Sequence, residues 1–134
     1  RKSTRLLREL HHSDLRMYQD FSVRKEYEKY KELIEKVQAS VYPEYQEMDQ
    51  AFYRLLDRLE EIGTEHLPCH NDLVPENLIL DASSRMYLID WEYSGMQDAD
   101  VDIAMFAIYA LYEKEQVDRL IDGYYPEGIS REHR

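Results

Sequence analysis

The run His70-Asn71-Asp72-Leu73-Val74-Pro75-Glu76-Asn77 follows the pattern H-x-D-L-x-x-x-N, and a second acidic site, Ile89-Asp90-Trp91-Glu92, lies downstream. Phosphoryl transfer calls for these groups. An accepting hydroxyl needs a carboxylate beside it, and Asp72 supplies one. The transferring phosphates need metal ions held by hard oxygen ligands. Asn77 and Asp90 supply such ligands from two neighbouring strand ends. Beyond this, the protein must position the reactants and neutralise charge.

That reading holds only if the chain brings Asp90 back to Asn77. Leu78-Ile79-Leu80 and Met86-Tyr87-Leu88-Ile89 are short apolar runs around the polar turn Asp81-Ala82-Ser83-Ser84, which predicts a β-hairpin. The hairpin returns Asp90 towards Asn77, with both groups facing one cleft beside Asp72. Leu67-Pro68-Cys69 leads into the loop, and Ser94 to Gln97 reads as a loop. Asp98 to Lys114 reads as one helix, so apolar between Ile103 and Leu111 that it should be buried. An amphipathic helix from about Glu115 to Tyr124 stops near Pro126.

Upstream, Thr4 to Leu10 predicts a short helix with Leu6, Leu7 and Leu10 on one face. His11-His12-Ser13-Asp14 ends it. Adjacent histidines on a helix do not face one point, so the pair is not read as a metal site. Leu15 to Ser22 is a loop. Val23 to Ser40 reads as a helix with Tyr27, Tyr30, Ile34 and Val37 on a core face. Pro43 breaks the chain. Glu44 to Ile62 follows as a helix that buries Met48, Phe52, Leu55, Leu56 and Leu59 and is capped by Gly63. The charged faces of both helices are solvated. Helices, a small hairpin and more helices make a mostly helical α+β domain over residues 1–134.

Composition narrows the function classes. The 134 residues are 43% hydrophobic, which suits a globular core. Lys and Arg total 17 against 28 Asp and Glu, a formal charge of −11, which disfavours binding to a nucleic-acid backbone. Acidity of this kind suits a cationic small molecule or a metal-bridged nucleotide. Cys69 is the only cysteine, so an intrachain disulfide is excluded and a reducing, cytoplasmic setting fits. It reads as a small buried residue, since no base for a thiolate is evident. The longest apolar stretch, near Ile103 to Tyr112, is short of the ~18 residues a membrane span needs. No signal peptide is visible. The chain opens Arg1-Lys2, without Met, as an excised piece of something longer would.

With the loop, the hairpin and Asp90-Trp91-Glu92-Tyr93 in view, the chain resembles the C-terminal lobe of the aminoglycoside phosphotransferase/choline kinase family, which has a protein-kinase-like fold. Within that family, the run from His70 to Asn77, then Ile89-Asp90-Trp91-Glu92-Tyr93, then Asp100-Val101-Asp102-Ile103-Ala104, looks most like the bacterial choline kinases. The resemblance covers Leu67 to Tyr112. It implies that Asp72 is the catalytic base, that Asn77 and Asp90 hold magnesium, and that His70 braces the base. It implies that Asp102 ties the catalytic loop to the following helix, although a first-turn helix Asp would look the same. Glu92 and Tyr93 point to a choline-like substrate, because a quaternary ammonium favours a carboxylate and aromatic faces. Tyr109, Tyr112 and Glu113 either extend that pocket or are simply packed or exposed.

The implied reaction moves the γ-phosphoryl group of ATP to the hydroxyl of choline or a similar small amino alcohol. An aminoglycoside acceptor and a non-catalytic kinase-like binding module are the alternatives. The chain also departs from the kinase pattern. Val74 stands where many protein kinases carry Lys, and Asp90 is followed by Trp91-Glu92 rather than Phe-Gly. None of the four glycines lies in a phosphate-covering loop before the catalytic motif, and no strand with a phosphate-binding Lys is recognisable. The N-terminal nucleotide lobe is therefore expected to be missing. The chain alone is expected to fold, to be inactive, and to self-associate through an apolar docking surface.

Overall fold

In the computed structural model of the chain, which describes residues 2–63 and 65–130, the helical spacings fold as read, with shifted ends. Three helices come first: α1 (Lys2–His11), α2 (Val23–Lys36) and α3 (Tyr45–Ile62). Strand β1 (Leu67–Cys69), the loop His70–Asn77 with a 3-10 turn at Pro75–Asn77, β2 (Leu78–Leu80), β3 (Met86–Leu88) and β4 (Gly95–Gln97) follow. Helices α4 (Ala99–Tyr109) and α5 (Lys114–Tyr124) complete the described chain. Two compact units result, Arg1–Phe21 with Glu65–Arg134, and Ser22–Thr64.

The first unit holds the site. Its core gathers Leu7 of α1, Leu73 of the loop, Ala99, Ile103, Phe106 and Ala107 of α4, and Leu120 and Tyr124 of α5. Leu73 is fully buried. Burying such a side chain contributes roughly 2 kcal/mol, so the residue after Asp72 anchors the loop into the core. The predicted hairpin forms, pairing Leu78 with Leu88, Ile79 with Tyr87 and Leu80 with Met86. Asp81 shapes its turn. The carboxylate accepts the Ser83 and Arg85 backbone N–H groups and the Ser83 hydroxyl, and these bonds hold its pKa below the usual carboxylate value.

A second pairing was not expected. Segments read as a lead-in and a loop form antiparallel strands, with Leu67 opposite Gln97, Pro68 opposite Met96 and Cys69 opposite Gly95. Three-residue strands containing Pro and Gly carry no alternation to detect. A Cβ at Gly95 would lie 2.9 Å from the Gln19 carbonyl oxygen and 3.4 Å from Asn71 Nδ2, so only glycine fits there.

The helix read as Asp98 to Lys114 is shorter, α4 covering only Ala99–Tyr109, while α5 forms close to where it was expected. Asp98 caps α4, its side chain accepting the Asp100 N–H at 2.8 Å. The helix then stops at Tyr109, because Leu111 takes the left-handed conformation (φ 52°). Tyr112 N–H reaches the Ala107 carbonyl and Leu111 N–H the Ile108 carbonyl, closing the helix end in a Schellman turn. Leucine disguises this boundary, since glycine is the usual residue at that position. The expectation of a helix buried all round also fails, because Ile108 and Tyr109 are exposed at its C-terminal end. Glu113 and Gln116 start α5 with a reciprocal capping box.

In the second unit, α2 ends at Lys36 rather than Ser40. Gln38 (φ 51°) closes it in the same turn, Ala39 N–H bonding the Ile34 carbonyl and Gln38 N–H the Glu35 carbonyl. Helix α3 runs to Gly63 as predicted. The two helices meet through a seam that is partly polar. Tyr27 packs on Phe52 and Tyr53, with its hydroxyl donating to Asp49, which also pairs with Lys31. Arg24 bonds Asp57 and Glu60. Of the residues expected to be buried, Leu56 is, while Tyr27, Ile34 and Phe52 are half-buried. Tyr30, Val37, Met48, Leu55 and Leu59 are exposed. A pair of helices has one shared face, and their apolar stripes are wider than that face.

Candidate active site

The loop from His70 to Asn77 is fixed from behind by one carboxylate. Asp102, in the first turn of α4 and fully buried, accepts the His70 backbone N–H at 2.8 Å and the Asn71 backbone N–H at 2.7 Å. Asp102 therefore ties the loop to the helix, in addition to occupying a first-turn position. Asn71 needs such a hold, because its backbone is left-handed (φ 62°). Its side-chain Nδ2 donates to the Tyr93 carbonyl at 3.1 Å.

The front of the loop carries Asp72 and Asn77. Asn77 Nδ2 donates to the Asp72 carbonyl at 2.9 Å and to Asp72 Oδ2 at 3.2 Å, fixing both side chains across the loop. The hairpin then does what was required of it. Ile89 N–H donates to the Asn77 carbonyl at 3.0 Å, so Asp90 begins one residue beyond a backbone bond to Asn77. Asp90 is also left-handed (φ 65°), a conformation that Asp tolerates better than most residues. Bonds on both sides hold it. His70 Nε2–H donates to the Ile89 carbonyl at 2.8 Å, and Trp91 Nε1–H donates to the Leu88 carbonyl at 3.0 Å. The Trp91 ring meets His70 edge-on at 4.9 Å. The buried His70 is thus a brace between the loop and the Asp90 turn, out of reach of a ligand.

Direct bonds or bonded neighbours link Asp72, His70, Asn77, Asp90 and Asp102. Glu92 and Tyr93 are exposed in the turn that follows Asp90. Tyr109 is exposed at the end of α4, whereas Tyr112 is half-buried with its ring edge-on to Phe106 at 5.7 Å. No described bond connects either tyrosine to the loop.

The donor set at the front fits a divalent cation. The Asn77 amide nitrogen is engaged with Asp72, which leaves Oδ1 as its oxygen ligand. The Asp90 side chain is exposed and makes no hydrogen bond among the described residues. Hard oxygen atoms from one carboxamide and one carboxylate are what magnesium takes from a protein when phosphates supply further ligands.

A different cluster has metal-like spacing. Donor atoms of His11, Cys69 and Asp102 lie within 4.8 Å of one another. All are committed elsewhere. His11 bonds Asp102 and Tyr124, Asp102 also holds the loop amides, and the Cys69 thiol donates to the Gln97 carbonyl. Burial, reinforced by the Asp102 charge, pushes the Cys69 thiol well up, so it stays neutral. This is a hydrogen-bonded cage. Sequence reasoning passed over His11 and Tyr124, although Thr4, Leu7 and His11 share a helical spacing and all three are buried.

A family profile for phosphotransferase enzymes matches residues 1–132. The chain belongs to the phosphotransferase enzyme family. Among relatives of this family member is protein LicA of Haemophilus influenzae, 39% identical over 117 residues that make up 86% of the chain and 43% of that protein. The crystal structure of choline kinase LicA from Streptococcus pneumoniae superimposes with a TM-score of 0.84 at 32% identity, over 98% of the chain and 44% of that protein. A structure of LicA in complex with AMP gives a TM-score of 0.82 at 32% identity, again over 98% of the chain and 44% of that protein. The architecture is the C-terminal lobe of a protein-kinase-like fold. The chain spans less than half the length of the relatives it matches.

Proposed function

We propose that the complete protein is an ATP-dependent phosphotransferase of the choline kinase type, and that this chain supplies its acceptor and metal side. The convergence of Asp72, Asn77 and the Asp90 turn carries the reading. The 32% identity to choline kinase LicA across 98% of the chain supports it. Asp72 orients the acceptor hydroxyl and takes its proton. Asn77 Oδ1 and Asp90 hold magnesium, which neutralises charge on the phosphates when bound. The AMP complex of LicA supports an adenine nucleotide as co-substrate. Glu92 and Tyr93 recognise the ammonium group of choline or a similar small amino alcohol, and Tyr109 and Tyr112 extend the aromatic wall.

The rest of the reading follows from where this chemistry takes place. A cytoplasmic setting provides ATP and suits a single buried thiol. No described helix is long and apolar enough to cross a membrane. Nucleic acid is not a partner, given the charge of −11. The hairpin leaves Ile79, Leu80, Tyr87 and Ile89 exposed, so the isolated chain self-associates, which light scattering would detect.

Steady-state assays of the complete protein with ATP, magnesium and choline, ethanolamine or an aminoglycoside test the proposal. Choline should give the highest kcat/KM, and the 134-residue chain alone should give no turnover. Preference for an aminoglycoside would replace the substrate assignment. Nucleotide binding without transfer to any of these acceptors would favour a binding module.

A further inference from the structure

We infer that Tyr124 is a positioning residue for the catalytic loop, acting through His11 and Asp102. Three helices converge on this chain of bonds. His11 lies in the last turn of α1, Asp102 in the first turn of α4, and Tyr124 ends α5. The side chains are buried, with relative exposures of 0%, 0% and 3%. Tyr124 Oη lies 2.7 Å from His11 Nδ1, and His11 Nε2 lies 3.0 Å from Asp102 Oδ2. That same Oδ2 accepts the His70 N–H, and Oδ1 accepts the Asn71 N–H. A tyrosine more than fifty residues downstream is thus two side chains from the backbone beside Asp72.

The proton positions follow from the partners. Asp102 already accepts two backbone N–H groups, so it is an acceptor towards His11 as well, and Nε2 carries the imidazole proton. Tyr124 Oη makes no other hydrogen bond among the described residues, so its O–H donates to Nδ1. Burial pushes the Tyr124 hydroxyl well up, which keeps it a donor. The hydroxyl therefore selects the tautomer that can bind Asp102. Without it, Nδ1 is a buried acceptor with no partner, and a shift of the proton to Nδ1 would turn a bare Nε2 towards the carboxylate. Asp102 would then lose the group that fixes its rotamer, and the left-handed Asn71 backbone would lose part of its hold. The ring itself is held separately, edge-on to His11 at 5.5 Å and to Tyr125 at 4.6 Å. Tyr124→Phe consequently removes the hydroxyl and keeps the packing.

The consequence for turnover rests on the role proposed for Asp72, whereas the network can be read without turnover. Nitrogen-15 NMR of labelled histidine in the unmodified 134-residue chain should show His11 as the Nε2–H tautomer. In Tyr124→Phe that single-tautomer signature should be lost, and the His70 and Asn71 amides should exchange about tenfold faster with solvent. The paired amides of the β2–β3 hairpin should keep their rates. A proton on Nδ1 of His11 in the unmodified chain would overturn the inference, whether or not the variant folds. So would unchanged exchange at His70 and Asn71, or an equal acceleration in the hairpin, which would mean general loosening.

Discussion

The front and the back of the His70–Asn77 loop use polar groups differently. At the back, Asp102, His11 and Tyr124 are buried, and each described polar atom of these side chains has a partner. At the front, Asp72 is half-buried and Asp90 exposed, and oxygen atoms of Asp72, Asn77 and Asp90 remain available. The acceptors at the back are used to hold backbone amides. Those at the front are held by a few bonds and left open to a metal or a substrate. Rigid support behind and free ligand atoms ahead are what positioning and charge stabilisation require.

The contrast implies that front substitutions change chemistry and back substitutions change the fold first. Asp72→Asn in the complete protein should lower kcat about a thousandfold while the dissociation constant for nucleotide stays within twofold of the unmodified value. Comparable losses in both would place Asp72 in the support. Asp102→Asn should destabilise the 134-residue chain by roughly 3 kcal/mol in urea denaturation, because an amide nitrogen would face His11 or a loop N–H. A change under 1 kcal/mol would mean that the back does not carry the loop. Gly95→Ala should cost about 2 kcal/mol, since its Cβ would meet the Gln19 carbonyl 2.9 Å away. An unchanged denaturation midpoint would show that β4 can shift freely. The smallest effect lies away from both faces. Leu111→Gly should stabilise by about 1 kcal/mol, because Leu111 is left-handed and 85% exposed. A loss would mean that the Leu111 side chain supports the turn.

The front was easier to read in the sequence than the back. Asp72, Asn77 and Asp90 sit at fixed spacings around a hairpin with an Asp-anchored turn, so a local pattern carries them. The back joins residues 11, 102 and 124, and no local window contains more than one of them. His11 was dismissed as half of a histidine pair, though only it, and not the exposed His12, faces inward. The β1–β4 pairing was missed for the same reason, being non-local and three residues long. Helix ends at Gln38 and Leu111 went unseen because neither is glycine. The stripes on α2 and α3 gave the helices correctly and their burial only in part. Periodicity reports which residues share a face, and the partner of that face lies elsewhere in the chain.

Everything at the front turns on Asn77 and Asp90 forming the proposed divalent-cation site beside Asp72. Titrating manganese into the nitrogen-15-labelled 134-residue chain tests it most directly, because paramagnetic broadening falls off steeply with distance from the bound ion. Amide signals of Asp72, Asn77 and Asp90 should broaden first, and Asp90→Ala should abolish that selectivity. Broadening that begins among the acidic residues of α2 and α3 or at the Asp81 turn, or that spreads evenly over the acidic surface, would rule out a cation site at Asn77 and Asp90.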